Sequence, residues 1–256
     1  MLMKKLSFYY KKFIFQIKKK IDLDKIQNDG KSLNELFNHF GTDKGTGVKN
    51  PYNKKSEEIF GHGFAQFYEK YFNNFKNEKI NFFEIGTWEG ASLASFSKYF
   101  NNANLYGLDR NFKFKYKSKR INFHYCDTTN KKDLKKISNE IGKNKFKVII
   151  DDGSHLLNDI IHNLKFFLDF VDNKGYYVIE DYNHPEYYSH LNNSSGDELL
   201  IKDIIIKIKN KEFFDSKILN KNDQSKLFES IKEISVHKGI MIDSGKNVSD
   251  IVFFKK

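Results

Sequence analysis

At 256 residues the chain suits one domain with an appendage, and a hydrophobic content of 39% with 16% aromatic residues excludes a disordered polymer. The formal charge of +11 invites a nucleic-acid partner, but all but two of the 44 basic residues are lysine, the exceptions being Arg110 and Arg120. Recognition of phosphates and bases recruits the bidentate fork of arginine, so no nucleic-acid partner is expected. Cys126, the single cysteine, excludes an intramolecular disulfide and fits a reducing, cytoplasmic compartment.

Residues 1–30 open with "MLMKKLSFYYKKFIFQIKKKIDL", in which lysines alternate with Leu, Phe, Tyr and Ile. The apolar runs are too short and too interrupted for a transmembrane helix, and no signal-peptide pattern follows. A basic amphipathic helix is expected. It would rest on an anionic membrane surface as a peripheral contact, or pack on its own domain or a second subunit; a homo-oligomer is expected. Residues 31–78 read as a helical and loop cap: "SLNELFNHF", then the loop "GTDKGTGVKNPYNKK", then "HGFAQFYEKYF".

From residue 79 to 256 the pattern changes. "INFFEIG" reads as a strand, "ASLASFSKYF" as a helix and "NLYGLD" as a strand; "INFHYCD", "KVIIDD" and "GYYVIEDY" are further strands, separated by the helices "KKDLKKISNEI" and "IIHNLKFFLDFV". Such alternation predicts an α/β fold, a Rossmann-like doubly wound, mostly parallel seven-stranded sheet. A polar loop (183–197) and the helical "ELLIKDIIIKIKN" follow, and "KEISVHKGIMID" with "SDIVFFKK" predicts a C-terminal antiparallel hairpin. No internal repeat is present.

The strand ends carry the chemistry. "FFEIGTWEGASL" runs from a strand through Gly86 and Gly90 into a helix, and such glycines let backbone approach a ligand. The spacing lacks the first glycine of a pyrophosphate cradle, and Glu84 stands in its place, an acid that suits a cationic ligand. The second strand ends in Asp109, which can take both hydroxyls of a ribose, and the third in Asp127, which can accept from an adenine amino group. Helix capping is the structural alternative for these acids.

Together these residues resemble the class I S-adenosylmethionine-dependent methyltransferases. The resemblance implies that the loop of Glu84, Gly86, Thr87 and Gly90 lies under the methionine part of the cofactor. Asp109 would then lie on its ribose and Asp127 near its adenine, with Asp151 also among the cofactor-binding residues.

Two further strands end in carboxylate pairs, Asp151–Asp152 and Glu180–Asp181. On neighbouring strands, about 4.8 Å apart, both pairs can reach one cation. Crowded carboxylates raise one another's pKa, which a divalent metal relieves, and an all-oxygen set suits Mg²⁺. A metal-bound hydroxyl becomes more acidic, and an imidazole with an ordinary pKa near 6.5 can take its proton. His155, three residues after Asp152, can occupy that place, or it can simply cap a helix.

"DDGSH" followed by "YVIEDY", with upstream "FGTDKG" and "YEKYF", resembles the Mg²⁺-dependent sugar O-methyltransferases of the macrocin and mycinamicin type and relatives in surface-polysaccharide biosynthesis. The resemblance implies Asp152, Glu180 and Asp181 as metal ligands and His155, with Asp152, as the catalytic pair. It places Thr42, Asp43, Lys44, Tyr68 and Tyr71 over the cofactor, and implies a sugar or glycan acceptor. Gly153–Ser154 stands where relatives carry Ala-Ser. Tyr182, His184 and Tyr187 would line a sugar pocket; the other histidines read as structural or surface groups. Two alternatives remain, an NAD-dependent oxidoreductase and a catalytically inactive methyltransferase-fold binding subunit.

Overall fold

The computed structural model describes residues 2–27, 30–49, 57–194 and 196–256, with side chains from residue 6 onward. Nine α-helices lie among them: α1 (Leu2–Ile17), α2 (Leu33–Phe40), α3 (Ala65–Phe72), α4 (Ala91–Tyr99), α5 (Lys131–Ile141), α6 (Leu157–Phe167), α7 (His184–Tyr187), α8 (Ile201–Asn210) and α9 (Lys221–Ser230). The seven strands of the central sheet are β1 (Asn81–Ile85), β2 (Asn104–Asp109), β3 (Ile121–Tyr125), β4 (Phe146–Asp151), β5 (Val171–Glu180), β6 (Glu233–Lys238) and β7 (Asp250–Lys255). Their spatial order is β3-β2-β1-β4-β5-β7-β6. The first five run parallel, and β7 is antiparallel to both β5 and β6.

Strand order reverses at β1, with β2 on one side and β4 on the other, which opens a crevice at the carboxyl ends where ligands of such sheets bind. The strands are apolar on both faces because helices cover both. Phe82, Val148, Ile150, Val178 and Phe253 point into one core layer with Phe37, Tyr68 and Phe96 of α2, α3 and α4. Their alternates Phe83, Ile149, Tyr177, Ile179 and Phe254 meet α5, α6, α8 and α9 in the other. α2 and α3 therefore contribute side chains to the main core.

Local signals explain the helix bounds. Ser32 and Glu35 bond reciprocally at the start of α2, and Gly41 ends it with a left-handed φ of 78°. The segment 220–230 carries the same device, Asn220 with Asp223, and forms α9, an element the hydrophobic periodicity alone does not reveal. The expected C-terminal hairpin forms, with β7 inserted between β5 and β6. A two-residue ladder, Ile242–Asp243 with Lys246–Asn247, closes its tip.

Candidate active site

The turn after β1 is shaped by a close approach. Gly86 has φ +86°, and a Cβ there would lie 1.9 Å from the Asp152 carbonyl oxygen. Only glycine lets the β1 turn touch the β4 turn. Gly90, φ +90°, leaves the space taken by the Phe114 ring. The Gly86 and Thr87 N–H groups donate to the Leu108 carbonyl at 2.8 and 3.2 Å. The Asp109 carboxylate accepts from the Trp88 N–H at 2.7 Å and from the Asn111 N–H at 2.9 Å. Asp109 thus ties the glycine loop to the end of β2 while lying in the crevice.

Glu84 is fully buried, and neither carboxylate oxygen has a hydrogen bond of ordinary geometry. Burial pushes its pKa up to about 7, against the opposing pull of Lys44 and of the neighbouring Ser92 hydroxyl. A buried acid left unbonded is costly and calls for a cationic or donor group.

β4 and β5 are neighbours, paired from Val148↔Tyr176 to Asp151↔Ile179. Asp152 and Glu180 converge on one cation: the Lys44 ammonium bonds Asp152, and reaches Glu180 Oε2 at 2.7 Å. The other oxygen of Glu180 accepts from the Tyr68 hydroxyl. Burial would lower the Lys44 pKa, but Asp152 and Glu180 reverse this and hold it well above its ordinary value. Both acids are nonetheless pushed up, by burial first, and Glu180 also by Asp152.

Asp181 faces a different set. Its Oδ1 lies 3.1 Å from His62 Nδ1 and 3.6 Å from His184 Nε2. Burial would raise its pKa, but His62 outweighs that and holds it well below the carboxylate range. His62 is itself buried, and Asp181 overrides the cost of burial to raise it to about 9. His155, Asp181 and His184 bring one ligand atom each within 4.8 Å of one another, and His155 Nε2 is 3.5 Å from Asp152 Oδ1. His155 and Asp181 both hold left-handed φ values, 54° and 52°, as does Trp88 at 47°. Such conformations cost about 1–3 kcal/mol and concentrate where geometry is dictated by a site.

Asp152 and Glu180 thus meet on Lys44, His155 stands near both Asp152 and Asp181, and Tyr68 bonds Glu180, with Thr42 and Asp43 just before Lys44 in the chain. The loop of Lys44 is held by backbone bonds from His62 and Phe64 to the Asp43 and Lys44 carbonyls. Three further residues have partners outside this cluster. Asp151, the last residue of β4, alternates to the opposite face from Asp152; Asn163 and Tyr177 bond its two oxygens at 3.3 and 3.2 Å. Asp127 is engaged by the Thr129 N–H and hydroxyl in its own turn. Tyr71 bonds His237 at 2.8 Å and packs on Phe253, at the β6–β7 edge.

His62 was missed. Its only sequence mark is the flanking pair Gly61 and Gly63, which lets the loop press against Gly45 and Ile240. Beside His184 opens a cavity of about 610 Å³, lined among others by Phe60, Tyr188, Ile240, Met241 and Asp243.

The residues fit a divalent cation. Asp43, Asp152, Glu180 and Asp181 outnumber Lys44 and His62, and the Lys44 ammonium already marks a cation position between Asp152 and Glu180. Asp181, paired with His62, also stands within 4.8 Å of ligand atoms of His155 and His184. Glu84, with both oxygens unbonded, fits the ammonium of an amino-acid moiety.

No family model matches the chain. It is 30% identical over 129 residues to the mycinamicin VI 2''-O-methyltransferase of Micromonospora griseorubida, covering 48% of this chain and 32% of that protein. It is also 30% identical over 127 residues to the demethylmacrocin O-methyltransferase of Streptomyces fradiae, covering 47% and 32%. The matched segments thus span about a third of these relatives' own length. Among solved structures, the MycE methyltransferase of the mycinamycin pathway, in complex with Mg, SAH and mycinamycin VI, superposes with a TM-score of 0.63 at 22% identity, over 88% of this chain and 53% of that one. The chain has the fold of the class I S-adenosylmethionine-dependent methyltransferases and resembles the mycinamicin- and macrocin-type sugar O-methyltransferases.

Proposed function

We propose that the protein transfers a methyl group from S-adenosylmethionine to a sugar hydroxyl, with Mg²⁺ as cofactor. The observation that carries this reading is the meeting of Asp152 and His155 with Glu180 and Asp181 at the neighbouring ends of β4 and β5, across the crevice from Glu84 and Asp109. The names of the relatives and of MycE's ligands support it.

In this reading Glu84 receives the amino group of the cofactor and Asp109 its ribose, while Gly86 and Gly90 keep side chains out of its path. Asp152, Glu180 and Asp181 would hold the metal, which would supply a positive charge that makes the acceptor hydroxyl more acidic. His155 Nε2 takes the hydroxyl proton, and Asp152 Oδ1, 3.5 Å away, stabilises the imidazolium that results. Tyr68 and Lys44 hold Glu180 in place. The acceptor lies in the cavity beside His184, whose lining of Phe60, Ile240 and Met241 with Tyr188 and Asp243 offers apolar surface and polar groups together. This suits a sugar carried on an apolar body. The site works in the cytoplasm.

The test is methyl transfer from labelled S-adenosylmethionine to a panel of glycosylated natural products, nucleotide-sugars and glycans, with Mg²⁺ or with EDTA. The reading expects product on a sugar hydroxyl that EDTA abolishes. Transfer that persists fully in EDTA overturns the metal. Failure of S-adenosylhomocysteine to bind in calorimetry overturns the class of reaction.

A further inference from the structure

The helix α1 is docked by a narrow face and leaves a wider apolar one outside. Phe8 packs edge-on against Phe112 and Tyr125, with ring centroids 5.4 and 5.0 Å apart, and Phe15 packs against Phe112 and Phe123 at 5.5 and 5.3 Å. These contacts fasten α1 beside β3, the edge strand of the sheet. Leu6, Tyr9, Tyr10, Phe13, Ile14 and Ile17 recur at helical spacing and are exposed, from 38% for Ile14 to 67% for Tyr10. They form one stripe along the outward side. An exposed apolar stripe of this length on a helix calls for an occupant.

Charge identifies that occupant. Residues 1–20 contain seven lysines and no acidic residue. The lysines come in pairs, 4–5, 11–12 and 18–19, repeating every seven positions. α1 ends at Ile17, so Lys18 and Lys19 lie beyond it. At about 100° per residue, Lys11 falls on one flank of the Phe8–Phe15 face and Lys12 on the other. Both are exposed, as are Lys18 and Lys19. A lysine on each flank thus separates the docked face from the outward stripe. With the stripe sunk in a bilayer, both stand at headgroup depth and their stems reach the phosphates. A second copy of α1 would instead bring lysines against lysines. No described helix is long and apolar enough to cross a membrane, so the helix lies in the plane of the interface.

We propose that α1 is an interfacial anchor that seats the protein on an anionic lipid bilayer through Leu6, Tyr9, Tyr10, Phe13, Ile14 and Ile17. The proposal stands apart from the reaction assigned above.

The experiment is co-sedimentation of the full chain with vesicles of phosphatidylcholine, alone or mixed with phosphatidylglycerol. Binding to the mixed vesicles, weakened by salt and at least about tenfold weaker on phosphatidylcholine alone, is expected. The double variant Tyr10→Ser/Phe13→Ser removes two exposed rings that the fold does not use, and should lower binding by about tenfold or more. Lys11→Glu/Lys12→Glu should lower it as well, leaving S-adenosylhomocysteine affinity unchanged. Circular dichroism confirms that each variant is folded. Absence of binding to the mixed vesicles overturns the proposal. So does undiminished binding by Tyr10→Ser/Phe13→Ser, which would leave only a diffuse attraction of lysines for anionic lipid. A wild-type dimer in sedimentation velocity that the same double variant dissociates would assign the stripe to a second copy and also overturn it.

Discussion

Glu84 carries a charge problem that the surrounding residues do not solve, and this makes its titration readable. Its folded pKa near 7 lies above the ordinary 4.5. The unfolded chain therefore releases the proton first as pH rises, and stability falls between about pH 4.5 and pH 7, then stays level. The loss is at most about 3 kcal/mol for a shift of this size. Glu84→Gln should remove Glu84's share of that fall, while Asp151, also pushed up to about 7 by burial, supplies a fall of its own over the same range. The variant should be more stable than wild type at pH 8 and equal to it below pH 4, as read by urea unfolding of the ligand-free protein. It should also bind S-adenosylmethionine more weakly, because the unbonded carboxylate is what would receive the ligand's ammonium. His62 gives a second fall, because its raised folded pKa contributes stability that is complete below about 6.5 and lost as pH climbs through about 9.

At the same scale His155 and Asp152 should separate by what rescues them. His155→Ala leaves the carboxylates in place, so turnover should fall by about 10²–10⁴ with metal and cofactor binding retained, and partly recover at raised pH. Asp152→Asn keeps the shape and removes the charge, so activity should fall steeply and recover in part at raised Mg²⁺. Isothermal titration alongside initial rates distinguishes the two patterns. Equal rescue of both variants by Mg²⁺ would remove His155 from the role of base.

At the scale of elements, turns rather than strands decide the geometry. Gly86 combines φ +86° with a carbonyl 1.9 Å from where a Cβ would stand, whereas Gly245, φ +77°, has nothing within 4 Å. Gly86→Ala must therefore separate the β1 and β4 turns, while Gly245→Ala meets only backbone strain. The expected costs are about 3 kcal/mol or more against about 1 kcal/mol, measured by denaturant unfolding. Methyl transfer should be lost only in Gly86→Ala. Elements are also where the sequence was most and least legible. The strands of the parallel sheet announce themselves because apolar runs bounded by acid and glycine have few other folds open to them. α9 does not, because "KNDQSKLFES" buries only Gln224, Leu227 and Phe228 and depends on its Asn220–Asp223 cap. The outward facing of Asp152 and inward facing of Asp151 follow from strand alternation, but only once the end of β4 is known to within one residue. His62 lay beyond reach, since its partner Asp181 is fixed by a loop contact over 119 positions of chain that no local pattern encodes.

At the scale of the whole molecule, the candidate site joins segments 42–44, 62–68, 84–90, 152–155 and 180–184, so a ligand bound there stabilises the fold as a unit. Lys44 is the sharpest probe of that coupling. It is buried, and its ammonium neutralises Asp152 and Glu180 together. Lys44→Met keeps most of the side-chain volume and removes the charge, leaving the buried Glu180 carboxylate facing the partly exposed Asp152. Breaking such a pairing costs about 3–5 kcal/mol, so the metal-free variant should melt well below wild type. Mg²⁺ should then do more for the variant than for the wild type, because the cation replaces a neutralising charge rather than adding to one. The expected outcome in thermal unfolding is a larger Mg²⁺-induced rise in Tm for Lys44→Met, absent in the double variant Lys44→Met/Asp152→Asn. An equal rise in wild type and Lys44→Met would mean that metal and ammonium do not share those carboxylates, and would move the metal toward Asp181 with His155 and His184, whose ligand atoms already lie within 4.8 Å of one another.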